Sequence, residues 1–163
     1  MTSTTKRTTR YTDVAELLAQ GKSVELAPSG TSMWPTLIPG RDRVQIVPRQ
    51  DAPRSGDIVL YRRPLESPLG QGGRLVLHRL VRNDAQGLWL RGDNQFDLEG
   101  PLPPDSALGV MTARVREGKV LSCDAPAWRA WGIAWGAALP LRKLVRSIRQ
   151  RSRPSTTHGE GQN

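Results

Sequence analysis

Residues 75–91 read LVLHRLVRNDAQGLWLR, and this stretch decides the fold class. Leu75 to Val81 is the longest strand candidate of the chain, Asn83 to Gly87 is a run of turn formers, and Leu88 to Arg91 is a second apolar run. Two such runs joined by a short link rich in turn residues predict an antiparallel hairpin. The same grammar extends outward. Val110 to Arg116 and Val120-Leu121 flank Glu117-Gly118-Lys119 as a second hairpin. Arg43 to Val47 alternates as a half-buried strand, and Asp57 to Tyr61 reads as a more buried one. Ser23 to Leu26 alternates briefly before Pro28-Ser29-Gly30, and Pro64 to Gly73 is a proline- and glycine-rich loop. Short strands broken by turn residues predict a mainly β domain with a rolled, barrel-like sheet.

The composition agrees. The 163 residues include 13 Pro and 16 Gly, and 37% are hydrophobic, which suits one modest core and disfavours a helix bundle. One cysteine, Cys123, excludes an internal disulfide framework and a four-thiolate metal site. Two distant histidines, His78 and His158, argue against a histidine-rich metal site. The net charge of +9 is uneven: residues 1–13 carry +2, residues 141–163 carry +5, and the 127 residues between them carry +2. A nearly neutral body argues against a broad nucleic-acid-binding face. No apolar run reaches the roughly 20 residues of a membrane span. The N-terminus, MTSTTKRTTRYTD, lacks the apolar stretch of a secretory signal. A location in the cytoplasm or peripheral to a membrane is expected.

Four segments follow. Residues 1–10 are polar, basic and expected to be disordered. Residues 11–123 form the β domain, headed by a short helix in which Val14, Leu17 and Leu18 share a face and Gly21 is the stop signal. Residues 124–151 form an amphipathic helical tail restarted at Pro140, in which Trp128, Trp131, Trp135, Leu144 and Ile148 make one apolar face bordered by Arg142, Arg146 and Arg149. Residues 152–163 are expected to be a disordered end.

The most unusual stretch is Pro28-Ser29-Gly30-Thr31-Ser32-Met33-Trp34-Pro35-Thr36-Leu37. A turn of small residues presents the Ser32 hydroxyl, Gly30 lets backbone N–H groups approach a substrate, and Met33 and Trp34 are the expected buried anchor. By itself this is an ordinary Gly/Ser/Thr turn, because a serine becomes a nucleophile only beside a base. Three later segments change its meaning: Ser55-Gly56-Asp57-Ile58-Val59-Leu60-Tyr61, then Leu77-His78-Arg79-Leu80-Val81, then Arg91-Gly92-Asp93-Asn94.

Their order and spacing resemble the signal peptidase family over about residues 22–116. That family has a Ser-Met-x-Pro-Thr-Leu nucleophile box, a Gly-Asp-Ile-Val strand, a strand carrying the base and a Gly-Asp-Asn turn. The resemblance implies a signal-peptidase-type β domain with Ser32 as nucleophile and His78 at the base position. Bacterial signal peptidases and LexA-type repressors have lysine there. Lys6, Lys22, Lys119 and Lys143 are the only lysines, and none is on this strand. The chain therefore resembles the archaeal and endoplasmic-reticulum branch, which uses Ser-His. A neutral imidazole is a competent base near pH 7, and an unperturbed one implies a rate rising through roughly pH 6–7.5. The acid that orients it is drawn from Asp97, preferred although its spacing is short for that branch, Asp93 itself and, less favoured, Asp105. The oxyanion hole falls to the Ser32 N–H within the Gly30-Thr31-Ser32-Met33 segment. Gly30 stands where some bacterial members carry a serine, leaving Thr31 or Ser29 as substitutes.

The implied activity is serine endopeptidase cleavage of a precursor or leader peptide after small residues, with a peptide or preprotein as partner. No metal, cofactor or nucleic acid is implied. Two other readings are a LexA-like self-cleaving regulatory module and a catalytically silent peptide-binding module. The first needs a helix-turn-helix, and residues 1–21 hold at most one short helix. Residues 128–151 are open to two roles, docking on an anionic membrane surface or packing on the β body. Asp57 reads as a turn-fixing residue and Cys123 as a packing residue.

Overall fold

Strands form where apolar residues alternate, and the computed structural model, which describes residues 11–65 and 73–151, contains eight of them. They are β1 (Val24–Leu26), β2 (Asp42–Pro48), β3 (Ile58–Arg62), β4 (Leu75–Asp84), β5 (Gly87–Arg91), β6 (Glu99–Leu102), β7 (Ala107–Arg116) and β8 (Lys119–Ser122). The helices are α1 (Tyr11–Ala19), α2 (Pro126–Ala137) and α3 (Leu139–Arg151). Both expected hairpins are present, β4–β5 and β7–β8. Expectations for residues 1–10, 66–72 and 152–163, including His158, lie outside the described residues.

All pairings are antiparallel, in the order β1-β2-β7-β3-β4-β5-β6, with β8 also on β7. The mainly β expectation holds, but the sheet is not a closed barrel. Its path ends at β1, of three residues, and β6, of four, which do not pair with each other among the described residues. Closure would need a continuous staggered ladder between the end strands. Both ends stay short, which also limits edge-to-edge association.

Strand alternation separates two apolar clusters. Ile58 and Leu60 of β3 join Val44, Ile46 and Met111, with Val14 and Leu18 of α1, Met33, Leu37 and Trp128 of α2. Val59 and Tyr61 of β3 face the other way and join Leu80, Leu88, Leu90, Leu102 and Ala107. Trp128 is 6% exposed, so the C-terminal segment contributes to the core of the β body. Helix α1 stops as expected: Gly21 has φ +78°, and Gly21 and Lys22 donate their N–H groups to the carbonyls of Leu18 and Leu17.

Candidate functional site

The Ser32 segment is held from three sides. Gly30 has φ +80°, a conformation that residues with a Cβ rarely adopt, and it turns the chain into a helical turn across Ser32 to Leu37. The Leu37 N–H closes that turn on the Met33 carbonyl at 2.9 Å. Met33 is buried as expected and shares the core-facing side of the turn with Leu37, four residues on, whereas Trp34 lies off that side and is 48% exposed. Downstream, the Ile38 N–H donates to the Asp42 carboxylate, which Arg116 also holds.

On the third side lies the turn after β5. The Asn94 N–H donates to the Ser32 carbonyl at 2.7 Å. A Cβ on Gly92 would sit 2.6 Å from that oxygen, so only glycine permits the contact. Gly92 follows Arg91, and Arg91 is the β5 partner of Arg79, the neighbour of His78 on β4. The backbones of the serine box, the turn after β5 and β4 are thus linked, and β3, which carries the Gly-Asp-Ile-Val box, pairs with β4. The Ser32 N–H and hydroxyl make no hydrogen bond among the described residues, and no hydrogen bond joins Ser32 to His78. The Met33 and Leu37 side chains of the segment pack with Ile58 and Leu60, on the face of β3 opposite the one that Tyr61 presents to His78.

His78 and Arg79 point to opposite faces of β4. Arg79 grips Asp93 in a fork, Nε to Oδ1 at 2.8 Å and Nη2 to Oδ2 at 2.7 Å. The Thr36 hydroxyl also donates to Asp93. The Trp131 indole donates to Thr36, and Trp135 and Arg142 donate to the Asp93 carbonyl, each at 2.7 Å. Asp93 is therefore a structural clamp joining the serine segment, β4 and the C-terminal helices.

His78 is 1% exposed and meets a different set of groups. Its Nδ1 lies 3.0 Å from the Tyr61 hydroxyl, which donates to Glu99 Oε2 at 2.7 Å. Arg63 holds the same carboxylate through Nε at 2.6 Å and Nη2 at 2.7 Å. Burial would raise the Glu99 pKa, but Arg63 and the Tyr61 hydroxyl more than reverse this and hold it below the usual carboxylate range. Burial, reinforced by the Glu99 charge, raises the Tyr61 pKa and keeps the phenol protonated. Burial also drives His78 down to about 4 against the opposing pull of Glu99. His78 Nδ1 and Glu99 Oε2 are 3.8 Å apart, yet near neutral pH they form no ion pair because the imidazole is neutral.

Proton bookkeeping then fixes the tautomer. Glu99 is ionised and accepts the single phenolic proton, so the Tyr61 oxygen can only accept from His78. Nδ1 carries the ring proton, and Nε2 is left with its lone pair.

The acids proposed from the sequence are placed elsewhere. Asp93 is occupied by Arg79 and Thr36. Asp97 is exposed and makes no hydrogen bond to His78 among the described residues. Asp105 is on the surface beside Arg49. The groups that do face His78, Tyr61 and Glu99, were missed. Tyr61 is the penultimate residue of β3 and pairs with Val76, two residues from His78, so register could have flagged it. Glu99 had no local signal.

The bland readings hold for two residues. Asp57 accepts from the Arg54 N–H within its turn, and burial pushes the Cys123 thiol up to about 12. Among the described residues no group of acids, histidines and cysteines could hold a metal ion, and no helix is long and apolar enough to cross a membrane. Comparison with family models, curated proteins and solved structures found no match to the chain.

Proposed function

We propose that the protein is a serine endopeptidase of the signal peptidase type, with Ser32 as nucleophile and His78 Nε2 as general base. The observation that supports this most is the Arg63–Glu99–Tyr61–His78 chain, because it leaves an unprotonated ring nitrogen on the strand whose next residue, Arg79, is tied through Asp93 to Thr36 of the serine segment. Tyr61 and Glu99 take the orienting role first sought in Asp97 or Asp93.

In this reading Ser32 Oγ attacks the scissile carbonyl carbon and its proton passes to Nε2. The Ser32 N–H faces the developing oxyanion. Nε2 then returns the proton to the leaving amine as the peptide bond breaks. Water, activated by the same nitrogen, hydrolyses the acyl-serine. Glu99 favours the transient imidazolium through Tyr61. The substrate class, a precursor or leader peptide cut after small residues, rests on the resemblance of the four boxes.

The missing Ser32–His78 hydrogen bond favours one second reading, a peptide-binding module without chemistry. A phosphonate probe directed at nucleophilic serines separates the two. The peptidase reading expects labelling at Ser32, loss of labelling in His78→Ala, and cleavage of peptides bearing small residues before the cut. It also expects Ser32→Ala, His78→Ala and the double variant to be about equally inactive, since the residues act as a unit. No labelling of the folded protein, or an active Ser32→Ala variant, overturns it.

A further inference from the structure

Helix α3 docks the wrong way round for a helix covering a soluble body. An amphipathic helix ordinarily buries its apolar stripe and leaves its charges in water. Here Arg142 faces the body: its guanidinium reaches the Asp93 carbonyl, lies 4.2 Å from the centre of the Trp135 ring and 5.4 Å from that of Phe96. Arg146, one turn on, lies 4.9 Å over Phe96. The apolar stripe is left outside. Leu141, Leu144 and Val145 are 63%, 56% and 40% exposed, and Ile148 is 54% exposed. The tryptophans expected on this face serve the body instead. Trp128 is buried, and Trp131 stacks on Trp135 at 5.3 Å while both indoles donate to it.

The charge pattern selects the occupant. Every ionisable residue of α3 is basic: Arg142, Lys143, Arg146, Arg149 and Arg151. A second copy seated on the stripe would bring two such helices together, with no acid on either to offset the repulsion. No helix among the described residues can span a bilayer, so a lipid-bound α3 would lie in the interface plane. An apolar stripe on a wholly cationic helix matches the boundary between anionic headgroups and acyl chains.

We propose that α3 seats the protein on an anionic lipid bilayer, with Leu141, Leu144 and Val145 entering the headgroup boundary and Lys143 meeting lipid phosphates. Because α3 is tied to the Asp93 carbonyl, and Gly92 touches the Ser32 carbonyl, docking would bring the candidate catalytic segment to the bilayer. That consequence rests on the peptidase reading, whereas the lipid binding does not.

Vesicle flotation of the full chain tests the proposal, using phosphatidylcholine vesicles with and without phosphatidylglycerol. The expected result is flotation with the anionic vesicles, weakened by salt as screening shortens the reach of the charges. Leu141→Glu/Leu144→Glu should reduce binding about tenfold or more, and Lys143→Ala about fivefold. All three positions are exposed, and circular dichroism with thermal unfolding confirms that the variants remain folded. Equal flotation with neutral vesicles, no flotation with anionic ones, or undiminished binding by the double variant overturns the proposal. So does a concentration-dependent dimer that this variant abolishes while the native chain ignores vesicles, which assigns the stripe to a second copy. A protein that binds lipid but lacks peptidase activity refutes only the catalytic reading.

Discussion

His78 and Arg79 are consecutive on one strand, and each faces a buried carboxylate, yet the two networks behave differently. On the Arg79 side, a permanent cation forks directly onto Asp93, Thr36 donates to the same carboxylate, and the C-terminal helices cap its carbonyl. On the His78 side, Arg63 forks onto Glu99 in the same manner, but a phenol stands between that carboxylate and an uncharged imidazole. One network ends in saturated ionic contacts and fixes position. The other ends in a nitrogen with a spare lone pair and can move a proton. The pair shows that a buried carboxylate is assigned a role by what lies between it and the nearest titratable group.

The largest expected effect breaks the clamp. Asp93→Ala leaves the largely buried Arg79 without its carboxylate, with only the Gly56 carbonyl still accepting from it, and also removes the Thr36 acceptor, so urea unfolding should show a loss of about 3–5 kcal/mol. A variant destabilised by less than about 1 kcal/mol, the range of an exposed pair, would mean that the clamp is not structural.

The next effect should fall on chemistry and spare the fold. Tyr61→Phe keeps the ring in its apolar cluster but cuts the link from Glu99 to Nδ1. Stability should drop by about 1–3 kcal/mol for the unsatisfied buried groups. The turnover number should fall about tenfold or more with little change in KM, as for loss of support to a general base. Equal activity in Tyr61→Phe and the parent would reduce this side to packing.

Acid titration sharpens the contrast further. His78 is held near 4 by burial, in place of the ordinary ~6.5 of a free imidazole. On the proposed mechanism the rate should therefore stay level through pH 6–7.5 and fall only as pH approaches 4, which replaces the rise that an unperturbed histidine would give. Stability follows the same window. Below pH 6.5 the unfolded chain binds a proton that the folded one refuses, so this contribution is complete above 6.5 and is lost as pH falls toward 4. With two histidines in the chain, imidazole NMR can follow His78 and test for the Nδ1–H tautomer. A midpoint near 6.5 would contradict the burial argument.

The smallest effect is expected at Asp97. It is exposed, so Asp97→Asn should leave activity unchanged and stability within about 0.5 kcal/mol. A large activity loss would restore it as the orienting acid and displace Glu99.

These contrasts also mark what could be read from the sequence. The β4–β5 hairpin was legible because alternation and a turn cluster are local signals, and β7–β8 for the same reason. Strand β6, Glu-Gly-Pro-Leu, was not read: Gly100 and Pro101 look like a turn, and its pairing with β5 depends on a neighbour. The candidacy of Ser32 and His78 rests on the order of boxes alone. Glu99 has no signal in the sequence because it comes to Tyr61 across 38 residues of chain, whereas Asp93 and Asp97 lie in or just after the Gly-Asp-Asn turn. The open sheet depends on whether two short end strands meet, and alternation carries no information on that. The tail was read as amphipathic, but its orientation is decided by Asp93, Trp135 and Phe96 rather than by its own period.

The contact between Ser32 and the turn at Gly92 has a consequence for the timing of biosynthesis. Residues 30–38 and 92–94 touch, and the donors that cap Asp93, Trp135 and Arg142, are translated after every strand of the sheet. A nascent chain can pair its strands as they emerge, since domains fold progressively during synthesis. It cannot complete the clamp behind the serine until α2 and the first turn of α3 have followed. The order of translation thus delays assembly of the candidate site until the segment proposed to find the lipid has itself been made.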